Sequence, residues 1–192
     1  MMAYCARYPP VTSAFSAMWS PPASVTSLWS FPPLFTLQPN QQTRDQQLLE
    51  WQKIVTAFCE SSRVEVISLD DCPVWENRDL GRRLSPDGVR AVADFMIRSK
   101  RAAFEVGSAT MLRVMWRTDD EWASILHAFA DRNGHVGGNI LLVGDLRAMV
   151  QEDFSGLESR TIVSALRRLA AQGRAQLSDS ADGDDFVGVI FR

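Results

Sequence analysis

The chain from about residue 41 onward repeats one order of predicted elements twice, and this repeat constrains the fold more than any other feature of the sequence. Each half begins with a capping-box pattern, Thr43–Gln46 in the first and Thr118–Glu121 in the second. Apolar residues then recur at three- and four-residue steps, which places them on one face of a helix. These stripes are Leu48, Trp51, Val55 and Phe58, and Trp122, Ile125, Leu126 and Phe129.

A short apolar strand, two further helices and a closing hairpin follow in both halves, at an interval of about 75 residues. The further helices are predicted at Leu80–Leu84, from Pro86 to about Ser99, at Leu146–Val150, and from Ser159 to near Gly173. Three helices with a small antiparallel sheet are the pattern of a winged helix. The predicted fold class is therefore α+β, with two tandem winged-helix domains.

The first 40 residues differ in composition from the rest of the 192-residue chain. They contain seven of the nine prolines and one charged residue, Arg7, whereas residues 41–192 carry 19 basic and 23 acidic residues. Such a proline-rich, nearly uncharged stretch favours extended chain. We expect an extended Pro-rich arm over residues 1–40, a first domain over 41–117 and a second over 118–192.

Within the arm, the sequence Pro32-Pro33-Leu34-Phe35 has the chemistry of a docking segment. The proline pair favours a pre-extended backbone that loses little entropy on binding, and Phe35 offers a large apolar anchor. Two alternatives stay open, namely a linker with incidental aromatics and an arm that folds back on its own domain. Disordered linkers are poor in aromatics, so the five aromatic rings between Phe15 and Phe35 argue against a plain linker.

No set of residues in the sequence has the makings of a catalytic or metal site. His127 and His135 have no evident third partner, and Cys59 and Cys72 are not part of a CxxC pair. We therefore predict no enzyme activity, no metal and no cofactor, with Cys59 as a core residue. Three scattered cysteines favour a reducing compartment, and no apolar run is long enough to span a membrane.

The last long helix carries a cluster of arginines that allows more than one interpretation. Winged helices often place their third helix in the DNA major groove, where Arg160, Arg167 and Arg168 could contact phosphates. A net charge of −3 and the lack of a basic wing or tail oppose this. A DNA-binding transcriptional regulator, a solvated face and a protein-docking face with arginine anchors all remain open.

Three runs of the sequence together match one known family. They are Phe31–Asn40 followed by Thr43-Arg44, Gln47-Leu48 and Trp51; Met115–Arg117 followed by Glu121-Trp122; and Asp153–Leu157. These runs resemble the vacuolar protein-sorting-associated protein 25 family, the small subunits of the ESCRT-II endosomal sorting complex. The resemblance covers residues 31–192.

The resemblance implies a non-catalytic assembly and adaptor subunit built from two tandem winged helices. In this family, two copies of the small subunit join each complex. Each copy hooks one of two larger winged-helix subunits through a Pro-Pro-x-aromatic segment. The second winged helix recruits an ESCRT-III subunit at the endosomal membrane, in a path that sorts ubiquitinated cargo to multivesicular bodies. A cytoplasmic protein that binds neither nucleic acid nor the membrane interior is expected.

The family's site residues map onto two places in this chain. Pro32, Pro33, Leu34 and Phe35 match the hook, and Phe35→Ala is expected to lose the larger subunits with the fold intact. Pro9 and Pro10 match the remnant of a second hook, in which Thr12 stands where the family has an aromatic residue. For the ESCRT-III subunit, we predict the exposed face of the last helix, with Arg160, Ser164, Arg167 and Arg168.

Overall fold

The N-terminal segment is helical in the computed structural model, which describes residues 19–178 and 183–192. Helix α1 spans Ala23–Trp29, and a 3-10 helix spans Pro32–Phe35. The prediction of an extended arm is therefore wrong for these residues. The fixed backbone angle of proline also suits the first turn of a helix, and burial of Leu34 and Phe35 holds this turn. The predicted second hook at Pro9 and Pro10 lies outside the described residues.

Helix α2 spans Gln41–Ser62 and begins at a cap that the sequence analysis placed three residues too late. The N-cap is Asn40, whose side-chain oxygen accepts a hydrogen bond from the Thr43 main-chain nitrogen at 3.1 Å. Thr43 lies inside the first turn, and its hydroxyl donates to the same oxygen. Asparagine is as strong an N-cap as serine or aspartate, so the earlier position captures the helix start. The predicted stripe is confirmed, because all four of its apolar residues are buried.

The rest of the first unit contains one further long helix and five short strands. These are β1 Val66–Ser68, β2 Glu76–Asn77, β3 Arg82–Arg83, α3 Pro86–Arg98, β4 Ala102–Phe104 and β5 Met111–Val114, with a 3-10 turn at Pro73–Trp75. The predicted helical turns at Leu80–Leu84 are wrong, since this stretch is the turn and second strand of the β2–β3 hairpin. Asn77 accepts from the Leu80 nitrogen at 3.1 Å, and Gly81 takes a left-handed φ of 57°, so both favour a turn.

The second unit follows the predicted order of elements. It contains α4 Asp119–Arg132, β6 Leu141–Leu142, α5 Val143–Arg147, α6 Ser159–Ala171, β7 Ala175–Ser178, a 3-10 turn Asp184–Phe186 and β8 Gly188–Phe191. The predicted capping box is confirmed. The Thr118 hydroxyl accepts from the Glu121 nitrogen at 3.2 Å, and the Glu121 carboxylate accepts from the Thr118 nitrogen at 2.6 Å.

The two units, which divide between Trp116 and Arg117, have sheets of the same strand order. In the first, β5 lies between β1 and β4, and in the second, β8 lies between β6 and β7. All of these pairings are antiparallel. The predicted mixture of helices and small antiparallel sheets is thus confirmed. Within the described part of the chain, no helix combines the length and apolar character needed to cross a bilayer.

The cap of α2 gives a direct test of where this helix begins. We expect Asn40→Ala to lower the free energy of unfolding by about 1 kcal/mol, since it removes the acceptor for the first-turn nitrogen. Thr43→Ala, the matched control, should change it by only a few tenths of a kcal/mol. Chemical denaturation followed by circular dichroism measures both. A larger loss for Thr43→Ala than for Asn40→Ala would contradict the observed cap.

Candidate functional site

The Pro-Pro-Leu-Phe segment has an inner face and an outer face. Leu34 and Phe35 are buried, with exposed fractions of 5% and 4%. Pro32 and Pro33 are exposed, and the preceding Phe31 is 56% exposed. The structure thus brings the four predicted hook residues together in one turn, but presents only the two prolines to solvent. Phe31 joins them on the outer face.

The inner face belongs to a cluster at the core of the first unit, which includes six aromatic rings from the described residues. The N-terminal segment supplies Trp19, Trp29 and Phe35, and the rest of the unit supplies Trp51, Phe58 and Trp75. The Phe35 ring lies edge-on to Trp29 and Trp51, with centroids 5.4 and 5.3 Å apart. Of the alternatives left open by the sequence, residues 19–35 match the arm that folds back on its own domain.

The burial of Phe35 corrects the expectation that its ring is free to anchor a partner. Aromatic side chains of this kind bury 150–250 Å² each and dominate the energetics of cores as well as of interfaces. In the isolated chain, this contribution stabilises the first unit itself. A substitution at Phe35 therefore cannot be expected to leave the fold unaffected.

The main chain of the N-terminal segment accepts hydrogen bonds from three buried side chains, those of Gln47, Trp51 and Asn77. The Gln47 amide nitrogen donates to the carbonyl oxygens of Leu34 and Thr36, both at 2.8 Å. The Trp51 indole also donates to the Leu34 oxygen at 3.0 Å. Asn77, from the β2–β3 hairpin, donates to the Trp29 oxygen at 2.8 Å. These contacts tie the segment to α2 and to the hairpin.

Gln47 and Asn77 were not identified from the sequence as functional residues. A signal for Gln47 was present, because it precedes Trp51 by four residues and Ile54 by seven. This spacing puts a polar residue on the buried face of α2, where it requires hydrogen-bond partners. No comparable pattern surrounds Asn77, which lies in a two-residue strand.

The second predicted site lies on α6, and most of its side chains already have partners within the second unit. The Ser164 hydroxyl donates to Asp119 at 2.6 Å, and Arg168 pairs with Asp120 at 3.2 Å. Arg160 pairs with Glu158 at 2.6 Å. Arg167 is exposed and has no ion pair with any residue in the described ranges. Of the three predicted arginines, Arg167 is thus the one whose charge is not paired with another described residue.

Three groups with shifted pKa values, Asp185, Cys59 and Cys72, have structural contacts. The hydrogen bond from Ser159, followed by the Arg147 guanidinium, lowers the pKa of the Asp185 carboxyl, and this joins α5, α6 and the turn before β8. Burial raises the pKa of the Cys72 thiol to about 12 and that of Cys59 well above its ordinary value, so both are poor nucleophiles.

Both ring nitrogens of His127 form hydrogen bonds within the second unit. Its Nδ1 accepts from Arg174 at 2.8 Å, and its Nε2 therefore donates to the Arg192 main-chain oxygen at 3.1 Å. Over residues 19–178 and 183–192, no three His, Cys, Asp or Glu side chains group together as metal ligands would.

Alanine substitutions at Phe35 and Phe31 should distinguish the inner face from the outer face by their effects on the free energy of unfolding. Phe35→Ala leaves a cavity beside Trp51 and is expected to lower the free energy of unfolding by about 3–5 kcal/mol. Phe31→Ala removes an exposed ring, so its loss should stay below about 1 kcal/mol. Phe186→Ala, at a 58% exposed position in the second unit, is the matched control. Equal losses for Phe35 and Phe31 would contradict the two-faced segment.

Comparison with known proteins places these sites in a family context. The family model described as ESCRT-II complex subunit matches residues 28–158. Vacuolar protein-sorting-associated protein 25 of Danio rerio is 28% identical over 162 residues, which cover 81% of this chain and 92% of the relative. The protein of the same name from Drosophila melanogaster is 30% identical over 153 residues, covering 78% and 88%.

Solved structures share the fold. The crystal structure of subunit VPS25 of the endosomal trafficking complex ESCRT-II superposes with a TM-score of 0.72 at 22% identity, over 86% of this chain and 97% of that one. A chain in the crystal structure of the ESCRT-II complex of VPS22, VPS25 and VPS36 gives 0.71 at 22% identity, over 89% and 100%. The chain belongs to the family of ESCRT-II complex subunits, with vacuolar protein-sorting-associated protein 25 as its relative.

Proposed function

We propose that this chain is a non-catalytic assembly and adaptor subunit of an ESCRT-II complex. In the proposal, it docks on the two larger subunits of that complex through its Pro-Pro-Leu-Phe segment, with two copies in each assembly. The observation that carries the proposal is the exposed Pro32-Pro33 pair, fixed on the first unit within the stretch that the family model matches. A solved complex that contains the related VPS25 also contains VPS22 and VPS36, so the equivalents of these two are the proposed partners.

Each of the two units is proposed to be a winged helix. The shared strand order, β1-β5-β4 and β6-β8-β7, supports two copies of one design, as does a long helix before each closing hairpin. In the first unit, the 3-10 turn Pro73–Trp75 and the β2–β3 hairpin stand where the second unit has α5. Small rigid domains of this kind suit an adaptor, because their surfaces remain fixed when partners bind.

The second unit is proposed to recruit an ESCRT-III subunit at the endosomal membrane. The candidate contact residues are Arg160, Ser164, Arg167 and Arg168 on α6. Arginine is enriched among the residues that dominate protein interfaces, which favours the accessible Arg167 as the main contact. The second unit carries eight basic and twelve acidic residues, so it should not favour anionic lipid by itself. Membrane recruitment would then depend on protein partners.

DNA binding, the alternative interpretation of the α6 arginines, is not favoured. Arg168 and Arg160 pair with Asp120 and Glu158, and Asp119 lies against the same helix through Ser164. Acidic groups at a helix that enters the major groove would repel phosphates. The negative charge of the second unit adds to this repulsion.

The docking proposal is tested by co-purification of the full chain with the two larger subunits. Mass measurement by light scattering should give two copies of this chain in each complex. The double variant Pro32→Ala, Pro33→Ala is expected to bind at least about 10-fold more weakly, because both rings are exposed and lie at the proposed contact. Pro39→Ala, at another exposed proline, is the control. Unchanged affinity of the double variant would overturn the docking assignment.

Recruitment of the ESCRT-III subunit is tested by reversing the accessible charge on α6. Arg167→Glu is expected to weaken binding of that subunit by at least about 10-fold with no change in melting temperature, as for an exposed arginine at the centre of an interface. Arg98→Glu, at the end of α3 in the first unit, makes the same charge change elsewhere. If both variants bind as the parent chain does, the contact lies on another surface.

A further inference from the structure

The buried amide of Gln47, together with the Trp51 indole, holds the main chain of the docking segment. Its nitrogen donates to the carbonyl oxygens of Leu34 and Thr36, both at 2.8 Å, and its oxygen accepts from the Gln38 main-chain nitrogen at 3.1 Å. Both of its N–H donors are therefore used, and the side chain is only 6% exposed. A single side chain thus contacts the main chain at three points between residues 34 and 38.

Apolar burial and hydrogen bonding have different effects on this segment. Burial of Leu34 and Phe35 attaches the segment to the aromatic cluster, but apolar contact is not directional. A shift of the segment by one residue would preserve much of that contact while leaving the buried Gln47 donors without acceptors. Gln47 therefore fixes the register in which the segment packs on α2 at three main-chain positions, and the Trp51 indole fixes it at one.

The register decides which side chains face outward. In the observed position, these are Phe31, Pro32 and Pro33, and the outer face they form carries no charge. Proline and phenyl rings on an uncharged face suit the apolar core of an interface, where aromatic side chains are enriched. Because the backbone is already fixed, little conformational entropy is lost when such a groove closes over it.

We infer that Gln47 is a positioning residue for partner binding, which presents Phe31, Pro32 and Pro33 as a rigid uncharged face to an apolar, aromatic-lined groove on a larger ESCRT-II subunit. This inference rests on the proposed function. It differs from the hypothesis drawn from the sequence, since Phe35 is an internal anchor and Phe31 takes the exposed aromatic position. Because Gln47 is buried beneath the segment, it acts on the partner through the segment.

The experiment uses the full chain and the purified pair of larger subunits. Gln47→Leu, of similar size, removes all three hydrogen bonds, and Gln46→Leu makes the same change at the neighbouring exposed position of α2. Well below the melting temperature, Gln47→Leu should bind about 10-fold more weakly and associate more slowly, because a smaller fraction of the chain holds the competent conformation. Gln46→Leu should bind as the parent chain does.

A second pair of variants tests Phe31, the aromatic residue of the proposed contact. Phe31→Ala is expected to lose at least about 10-fold in affinity, as an exposed aromatic at the centre of an interface does. Phe186→Ala, equally exposed but in the second unit, should change nothing. Parent affinity for Phe31→Ala would overturn the assignment of the outer face.

Amide hydrogen exchange in the free chain gives a readout that needs no partner. Protection of the Gln38 amide should be lost in Gln47→Leu and kept in Gln46→Leu. Gln47→Asn, which keeps the polar group but is one carbon shorter, should behave as Gln47→Leu does, and it serves if the leucine variant does not fold.

The possible outcomes distinguish the positioning role of Gln47 from the docking proposal itself. If the parent chain binds, and Gln47→Leu binds equally well with Gln38 still protected, the positioning role is overturned and the docking proposal stands. If Gln47→Leu loses only thermal stability, with its affinity and association rate unchanged, Gln47 is merely structural and the inference is again overturned. If the parent chain fails to bind, the proposed function fails, and the inference about partner binding fails with it.

Discussion

The packing of the Trp51 indole against the N-terminal segment is the interaction on which the rest of the first unit depends. This ring is fully buried, lies edge-on to Phe35 and Trp29, and touches Trp75. Each edge-to-face pair contributes about 0.5–1.5 kcal/mol beyond the area it buries. The indole N–H also satisfies the Leu34 oxygen. One side chain of α2 thus joins the hydrophobic core to the main chain of the docking segment.

This arrangement couples stability to function in an adaptor. The inner face of the segment stabilises the first unit, and the outer face is the proposed contact with a larger subunit. A substitution on the inner face therefore weakens both the fold and the presentation of the outer face. Removal of the whole segment would expose Trp51, Phe58 and Trp75 together, so a shortened chain is a poor test of docking. Point variants on the outer face separate the two effects.

Much of the fold could be predicted from the sequence, because the signals involved are local. The Leu48–Phe58 stripe and the Thr118–Glu121 capping box depend on residues within one or two helical turns, and both were predicted correctly. The predictions failed where contacts distant in sequence decide the structure. Pro32-Pro33 alone favours extended chain, but burial of Leu34 and Phe35 against α2 draws the segment into a helical turn. The turns expected near Leu80 similarly gave way to a hairpin.

The same holds for the candidate sites: features set by neighbouring residues could be predicted, and features set by residues distant in sequence could not. Pro32, Pro33, Leu34 and Phe35 lie together in one turn, as contiguous residues must. Sequence reasoning did not reveal which of them face inward, because that depends on Gln47 and Trp51, which lie 13 and 17 residues from Leu34. The outer side of α6 was predicted as an exposed face, but Ser164 and Arg168 on it contact acidic residues at the start of α4. Asp119 and Asp120 lie 45 and 48 residues from Ser164 and Arg168, too far for any sequence periodicity to link them.

The proposed coupling of stability to docking requires that the N-terminal segment is part of the folded first unit before any partner binds. Nuclear magnetic resonance of the free chain tests this most directly, through exchange of the Trp51 indole N–H and cross-relaxation between the Trp51 and Phe35 rings. The structure predicts slow exchange and strong cross-relaxation, as for a buried indole bonded to Leu34 and 5.3 Å from the Phe35 ring. Fast exchange without cross-relaxation would mean that the segment is free in the unbound chain, and would contradict the account.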